Sequence, residues 1–173
     1  MDTTGTERAG SADFVDLTWR WHDNLIYGLA FEVGDAQRQD WRSDLVFDID
    51  FIVEWLCQPT GEFRFRVAPA TLAFHHVADL SVAVDHGDSG GRTALNEWSI
   101  DRVIRDRLDR TFDYWRWTMH LNLPSRGTIA FCTSGFTQTL RAEPKLVPEQ
   151  RVNRSTSTRS DNPDAREYSP SSE

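Results

Sequence analysis

The stretch DLVFDIDF, residues 44–51, alternates apolar and polar side chains and decides the fold. Successive side chains of a β-strand point to opposite faces, so an extended segment places its apolar members on one side. These members are Leu45, Phe47, Ile49 and Phe51. The stretch therefore predicts a strand with one face buried in a core and the other, acidic face in solvent.

The same period of two recurs along most of the chain between residues 13 and 148. It is found in residues 17–21, 62–67, 80–84 and 115–122. Short segments rich in Pro, Gly, Asp and Asn separate these stretches, as is typical of turns. The sequence predicts a mainly β protein in which about nine antiparallel strands form a sandwich or a barrel.

Residues 98–110 fit two periods at once. Ile100, Ile104 and Leu108 lie on one helical stripe, and acidic and basic residues four positions apart could pair along that helix. The same three apolar residues also share the parity of a strand. The segment is therefore either the single short helix of the protein or an edge strand, and the all-β surroundings favour the strand.

Both ends of the 173-residue chain are polar. Residues 1–12 and the Ser-, Arg- and Pro-containing tail 149–173 offer almost nothing to bury, so we expect both to be disordered. Residues 13–148 are predicted to form a single β-rich domain. Seven Trp and ten Phe in the chain supply enough apolar volume for a core without a metal or disulfide.

Charge and cysteine content limit the partners. Asp and Glu number 27 against 19 Lys and Arg, and this net charge of −8 argues against nucleic acid as a partner. No stretch is apolar enough to predict a membrane span. Cys57 and Cys132 are isolated and predict neither a framework disulfide nor a zinc site. The start of the chain lacks the pattern of a signal peptide, so a cytoplasmic protein without a cofactor is expected.

Three blocks occur together: WHDN at 21–24, VAPATL at 67–72 and GFTQ at 135–138. With them, residues 19–141 resemble a family of small bacterial proteins of unknown function, and this resemblance implies no reaction. Residues 21–24 and 45–50 are also similar, more distantly, to β-rich immunity proteins of bacterial toxin systems. That second resemblance implies a protein partner.

The WHDN block contains the first candidate site. His22 and Asp23 could be a base with its orienting carboxylate, or two metal ligands. The alternative is a tight turn, in which Asp23 and Asn24 bond to nearby backbone amides while Trp21 anchors the turn to the core. We favour the turn.

Asp48 and Asp50 form the second candidate site, since they share one face of the predicted strand. Their spacing of about 7 Å would suit a cation or a substrate. Arg64 and Arg66 have the same spacing on a segment that could be the neighbouring strand, and cross-strand ion pairs are the favoured interpretation.

His75 and His76 are adjacent and should face opposite sides of a strand, one buried and hydrogen-bonded and the other exposed. Such a pair does not chelate one ion, so no metal is expected. No nucleophile elbow, phosphate-binding loop or zinc-finger spacing is present, and no residue is assigned as catalytic. Four Trp residues are expected to build the core rather than a ligand platform: Trp19, Trp21, Trp115 and Trp117.

Three functions remain open from the sequence. The favoured one is a non-catalytic β domain that acts through a protein partner, for instance an immunity or inhibitor protein whose acidity suits a basic target. The second is a small-ligand binder with an aromatic-lined pocket. The third is a metal-dependent enzyme, which would require His22, Asp23 and Asp48 to converge.

Overall fold

The computed structural model describes residues 6–8, 17–84, 98–123 and 127–153. Ten β-strands in these ranges form one antiparallel sheet. In chain order they are β1 (Thr6–Arg8), β2 (Leu25–Val33), β3 (Ser43–Cys57), β4 (Phe63–His75), β5 (Ala78–Ala83), β6 (Trp98–Arg107), β7 (Trp115–Leu123), β8 (Gly127–Thr133), β9 (Gly135–Leu140) and β10 (Lys145–Val147). One helical turn, α1 (Leu17–Arg20), and a 3-10 turn at Ala36–Arg38 are the helical elements of the described chain. The predicted antiparallel β architecture is confirmed.

Nine of the strands follow one another across the sheet in the order β1-β9-β4-β3-β2-β6-β7-β8-β5, and β10 pairs with β4 beside this path. The sheet is not closed into a barrel, so that alternative is wrong. Its two halves nevertheless face each other. The ring of Phe74 on β4 lies 4.7 Å from that of Phe131 on β8 and 5.2 Å from that of Trp117 on β7, although β4 pairs with neither strand.

The DLVFDIDF stretch lies in the middle of β3. Leu45, Phe47 and Ile49 are fully buried, as the alternation predicts. Each lies opposite an apolar residue of β4, namely Phe74, Leu72 and Ala70. Because residues paired across antiparallel strands point to the same face, the two strands bury one continuous apolar surface.

Residues 98–107 form strand β6, which resolves the ambiguity between helix and strand. The helix-like spacing has a physical cause. A β-bulge between Ile100 and Arg102 adds one residue to β6, so Ile100 and Val103, three positions apart, both point into the core opposite Leu121 and Met119. Ile104 lies on the other face and is exposed.

The strand predicted for residues 17–21 is wrong. Residues 17–20 form the turn of helix α1, which leaves Trp19 65% exposed, while Trp21 enters the core and is fully buried. The indole Nε1 of Trp21 donates to Oε1 of Gln138 at 2.8 Å. The core interpretation therefore holds for Trp21 and Trp117, holds in part for the half-buried Trp115, and fails for Trp19.

Two parts of the described chain outside the predicted domain of residues 13–148 contact the sheet. Strand β1 pairs with β9, and Val152 is buried against Ile52 and Val67. Ile52, Phe65, Val67 and Val152 form a second, smaller core. This core exists because the chain beyond residue 148 folds back on β3 and β4. The predicted disorder of residues 1–5, 9–12 and 154–173 falls outside the described residues. Across the described ranges, neither helical turn has the length or apolar character needed to cross a membrane.

Replacing Trp21 with Ala should lower the free energy of unfolding by about 3–5 kcal/mol, because the substitution leaves a cavity among packed rings. The matched control is Trp19→Ala, which removes the same side chain from an exposed position and should change stability by about 0.5 kcal/mol or less. Chemical denaturation of both variants measures the difference. Equal losses in the two variants would contradict the assignment of Trp21 to the core.

Candidate functional site

The WHDN block forms the predicted turn, but the turn follows helix α1 and not the strand predicted for residues 17–21. Asp23 has a φ of 60°, in the left-handed region that Asp and Asn tolerate better than most residues. Its backbone N–H donates to the carbonyl of Ile100 at 2.7 Å, and the N–H of Ile100 donates to the carbonyl of Asn24 at 3.0 Å. The turn is thereby fixed to the edge of β6.

Besides the bond of Trp21 to Gln138 on β9, the side chains of His22, Asp23 and Asn24 bond to four different segments. Asp23 accepts from Nδ2 of Asn122 at 3.1 Å and from Nε2 of Gln150 at 3.0 Å, rather than from the backbone amides that the turn interpretation predicts. Oδ1 of the buried Asn24 accepts from the backbone N–H of Ile52. His22 donates from Nδ1 to the carbonyl of Asp101. The block therefore joins β3, β6, β7 and the end of the described chain.

Asp50 is fully buried, because residues 148–153, here called the C-terminal strap, cross over it. Its Oδ2 accepts from the hydroxyl of Tyr27 at 3.0 Å and from the backbone N–H of Val152 at 2.9 Å. Gln150 of the same strap bonds to Asp23. The carboxylates of Asp50 and Asp23 thus hold the strap in place.

The predicted ion pairs between Asp48 or Asp50 and Arg64 or Arg66 are wrong. Asp48 pairs with Arg141, and Arg66 pairs with Glu54 at 3.1 Å. The register explains the difference, because β3 and β4 place Arg66 opposite Glu54 and Arg64 opposite Leu56, several positions from both aspartates.

We expect Asp50→Ala to lower the free energy of unfolding by about 1–3 kcal/mol, since it strands the buried N–H of Val152 and loosens the strap. Asp48→Ala is the matched control on the same strand. Its ion pair with Arg141 is partly exposed, so its loss should cost about 1 kcal/mol or less. Thermal and urea unfolding measure both variants, and a smaller loss for Asp50→Ala than for Asp48→Ala would contradict the role given to the strap.

The side chains of His75 and His76 have different partners, but the predicted arrangement is met only in part: His75 is half-buried rather than buried, and His76 lies beyond the end of β4 with a φ of 52°. His75 donates from Nδ1 to Asp44 at 3.1 Å and accepts at Nε2 from the hydroxyl of Thr137 at 3.0 Å. The exposed His76 bonds through Nδ1 to the hydroxyl of Ser134 at 3.0 Å. The series Asp44–His75–Thr137 has the connectivity of a nucleophile with its base, but it also links three adjacent strands, β3, β4 and β9.

Sequence reasoning missed Asp44 and Thr137. Asp44 lies on the polar face of the DLVFDIDF stretch, and its strand pairs with that of His75. The alternation of apolar and polar residues places Asp44, His75 and Thr137 on the outer faces of their strands, but it does not show which strands are neighbours. Only the register of β3, β4 and β9 shows that these three side chains meet.

Tyr114 ties the loop before β7 to the same end of the sheet. Its hydroxyl donates to the carbonyl of His76 at 2.8 Å and approaches that of Cys132 at 3.4 Å. Burial raises the pKa of the Tyr114 hydroxyl above its ordinary value, and the nearby Cys132 and Asp79 act in the same direction, against a smaller opposing effect of Arg110.

The stability that Tyr114 contributes should depend on pH. A pKa raised on folding gives stability that is full below the ordinary tyrosine pKa of about 10 and is lost as the pH rises through the folded value. Denaturation of the native protein and of Tyr114→Phe between about pH 8 and pH 11 measures this. The advantage of the native protein should shrink above about pH 10. A constant advantage would contradict the assignment.

The turn between β3 and β4 lies at the end of a two-stranded extension, here called the hairpin end (residues 53–65). Strand β2 accompanies β3 only as far as Asp50, and β9 joins β4 only from Ala70, so among the described strands β10 alone flanks the extension. Gly61, with a φ of 84°, supplies the left-handed residue that closes the turn.

One face of the hairpin end is aromatic. The ring of Trp55 lies 5.0 Å from that of Phe65 and 6.3 Å from that of Phe63, both edge-on. Phe65 is buried, but Trp55 is 44% exposed and Phe63 53% exposed. This face continues the small core of Ile52, Val67 and Val152 beyond the point where the strap covers it.

A second aromatic surface surrounds Trp19. The Trp19 ring meets the ring of His22 edge-on, with 5.3 Å between centroids. The amides of Asn122 and Gln150 converge on Asp23, the residue that follows His22. These five residues, Trp19, His22, Asp23, Asn122 and Gln150, are here called the Trp19 surface.

The part of the chain that the structure describes brings no three His, Cys, Asp or Glu side chains together in a way that could hold a metal ion. His22, Asp23 and Asp48 therefore do not form the metal site that the enzyme hypothesis requires. Comparison with protein-family models, with curated proteins and with solved structures finds no match to this chain. The family resemblances stay predictions, and the function is inferred from the geometry of the surfaces.

Proposed function

We propose that the chain is a non-catalytic β domain that acts by binding a protein partner through its hairpin end. One observation carries this proposal: Trp55 and Phe63, two large aromatic side chains, are half exposed at the end of an extension that stands beyond its neighbouring strands. A partner that covered them would remove apolar surface from water.

The chemistry of the hairpin end suits a protein interface. Trp and Phe are enriched at the centres of such interfaces, where a few buried aromatic side chains provide most of the binding energy. The Trp55 ring makes edge-on contacts with both Phe65 and Phe63, so the two exposed rings would lose little side-chain entropy on binding. The hairpin end is therefore largely preorganised for association.

Charge favours a basic partner. The net charge of −8 would attract a positively charged protein from a distance and accelerate the encounter. A nuclease toxin neutralised by an acidic immunity protein has this chemistry, in line with the resemblance of residues 21–24 and 45–50 to immunity proteins. Cys57 and Cys132 are both free thiols, which supports a reducing compartment such as the bacterial cytoplasm.

An enzyme is the weaker hypothesis, because the polar residues that could carry chemistry already have structural partners. Asp50 holds the strap, Asp48 pairs with Arg141, and Asp23 binds two amides. Catalysis would require breaking bonds that keep the fold together.

The products of the genes that flank the gene of this chain are the first partners to test by co-expression and purification. We expect one of them to form a stable complex, and the double variant Trp55→Ala/Phe63→Ala to weaken that complex about 100-fold or more, as loss of two central aromatic anchors does. Isothermal titration calorimetry with the purified partner gives the dissociation constants.

Trp41→Ala is the matched control, since Trp41 is 74% exposed but lies in the loop between β2 and β3. It should leave the affinity unchanged. A complex of undiminished affinity in the double variant would refute the hairpin end as the interface. Failure of both flanking products to bind would refute the immunity-protein form of the proposal.

A further inference from the structure

We propose that the Trp19 surface binds a neutral oligosaccharide, a function that goes beyond the protein interface proposed for the hairpin end. Trp19 is 65% exposed, whereas Trp21, the other indole at the WHDN turn, is fully buried. The Trp19 ring contacts that of His22, and Nε2 of His22 lies 3.6 Å from the Asp23 carboxylate, on which two amides from other segments converge. The two surfaces share no residue.

A hexose ring carries an apolar face of C–H groups and a rim of hydroxyls. The exposed face of an indole removes the C–H groups from water, while its π electrons attract their slightly positive hydrogens. Planar carboxylate and amide side chains pair with neighbouring hydroxyls, because they offer donors and acceptors side by side in one plane. The Trp19 surface combines both kinds of group.

The hydrogen bonds within the surface leave polar atoms available. Asn122 and Gln150 each use one N–H on Asp23, and among the described residues their carbonyl oxygens accept no hydrogen bond. The imidazole of His22 lies against this group, with Nδ1 bonded to the carbonyl of Asp101 and Nε2 3.6 Å from Asp23. The two amide carbonyls could accept hydrogen bonds from sugar hydroxyls, and the second N–H of each amide could donate to them. A sugar would therefore meet both donors and acceptors, as its hydroxyls require.

The surface is held in shape without a ligand. Asp23 is fixed by its backbone bond to Ile100, and its carboxylate in turn orients the two amides. The carbonyl of Trp19 accepts from the N–H of His22 at 3.2 Å, which closes the helical turn that carries the indole. A preorganised site loses less conformational entropy on binding, so even the weak contacts of a sugar suffice.

Charge selects a neutral sugar over an anionic polymer. The Asp23 carboxylate lies at the centre of the surface, and the chain as a whole carries a net charge of −8. Both disfavour sulfated or uronic-acid glycans and nucleic acid.

The probes are three neutral hexasaccharides, cellohexaose, maltohexaose and chitohexaose, titrated into the full-length protein by isothermal titration calorimetry. We expect saturable binding of at least one, with a dissociation constant of about 1 mM or tighter. Trp19→Ala should weaken that binding about tenfold or more, because the stacking platform is lost. Asn122→Ala should weaken it as well, since it removes an exposed amide from the rim.

Trp41→Ala is the control for loss of an exposed indole and should bind like the native protein. Because Trp19 and Asn122 are exposed, both variants should keep the native melting temperature, which separates loss of binding from loss of folding. Absence of saturable binding by all three sugars at about 10 mM would overturn the proposal. Equal affinity in Trp19→Ala would do the same. If no sugar binds and Trp19→Ala weakens the protein complex instead, the surface belongs to the protein interface and the sugar proposal is wrong.

Discussion

The ring of Phe74 holds the two halves of the sheet together. It contacts five other aromatic rings at centroid distances between 4.7 and 6.0 Å. These rings belong to Trp21, Phe47, Trp117, Phe131 and Phe136. Because hydrogen bonds do not close the sheet into a barrel, ring packing between the halves has to supply that connection.

This core also determines what the surface presents. Trp21 belongs to the ring cluster and begins the WHDN turn, so its burial fixes the position of the residues on either side. Trp19 and His22 are consequently held at the rim, and Asp23 is turned toward Asn122 and Gln150. The WHDN block, whose residue types suggest a catalytic or metal site in the sequence, therefore has a structural role first. Only its exposed atoms are available to bind a ligand.

Alternation predicts β3 and β4 well, because a strand with one buried face repeats every two residues and needs no knowledge of its neighbours. Alternation fails where the burial of a side chain depends on which other segments pack against its strand. Phe63 and Phe65 have identical patterns, yet Phe63 is 53% exposed and Phe65 is 8% exposed, because β10 pairs with β4 only as far as Phe65 and Val152 packs in the same cluster as Phe65. A helix of one turn, such as α1, is too short to show a period at all.

The partners of charged residues were harder to predict for a related reason. Which basic residue reaches Asp48 depends on register, and register is a property of two strands rather than one. Burial of Asp50 depends on the strap, which comes from a segment whose composition predicts disorder. One apolar residue in that segment, Val152, is enough to dock it when a buried carboxylate accepts its backbone N–H.

Most polar side chains at the candidate sites hold the fold together, so the exposed aromatic rings are the groups left to bind a partner or ligand. A carboxylate that holds a strap or an imidazole that links strands cannot be changed without a cost in stability, which leaves little freedom for a new activity. Trp19, Trp55 and Phe63 lie outside the packed core and can be replaced without opening a cavity. Binding specificity in this fold can therefore change at its rim and at its hairpin end while the ring cluster around Phe74 stays the same.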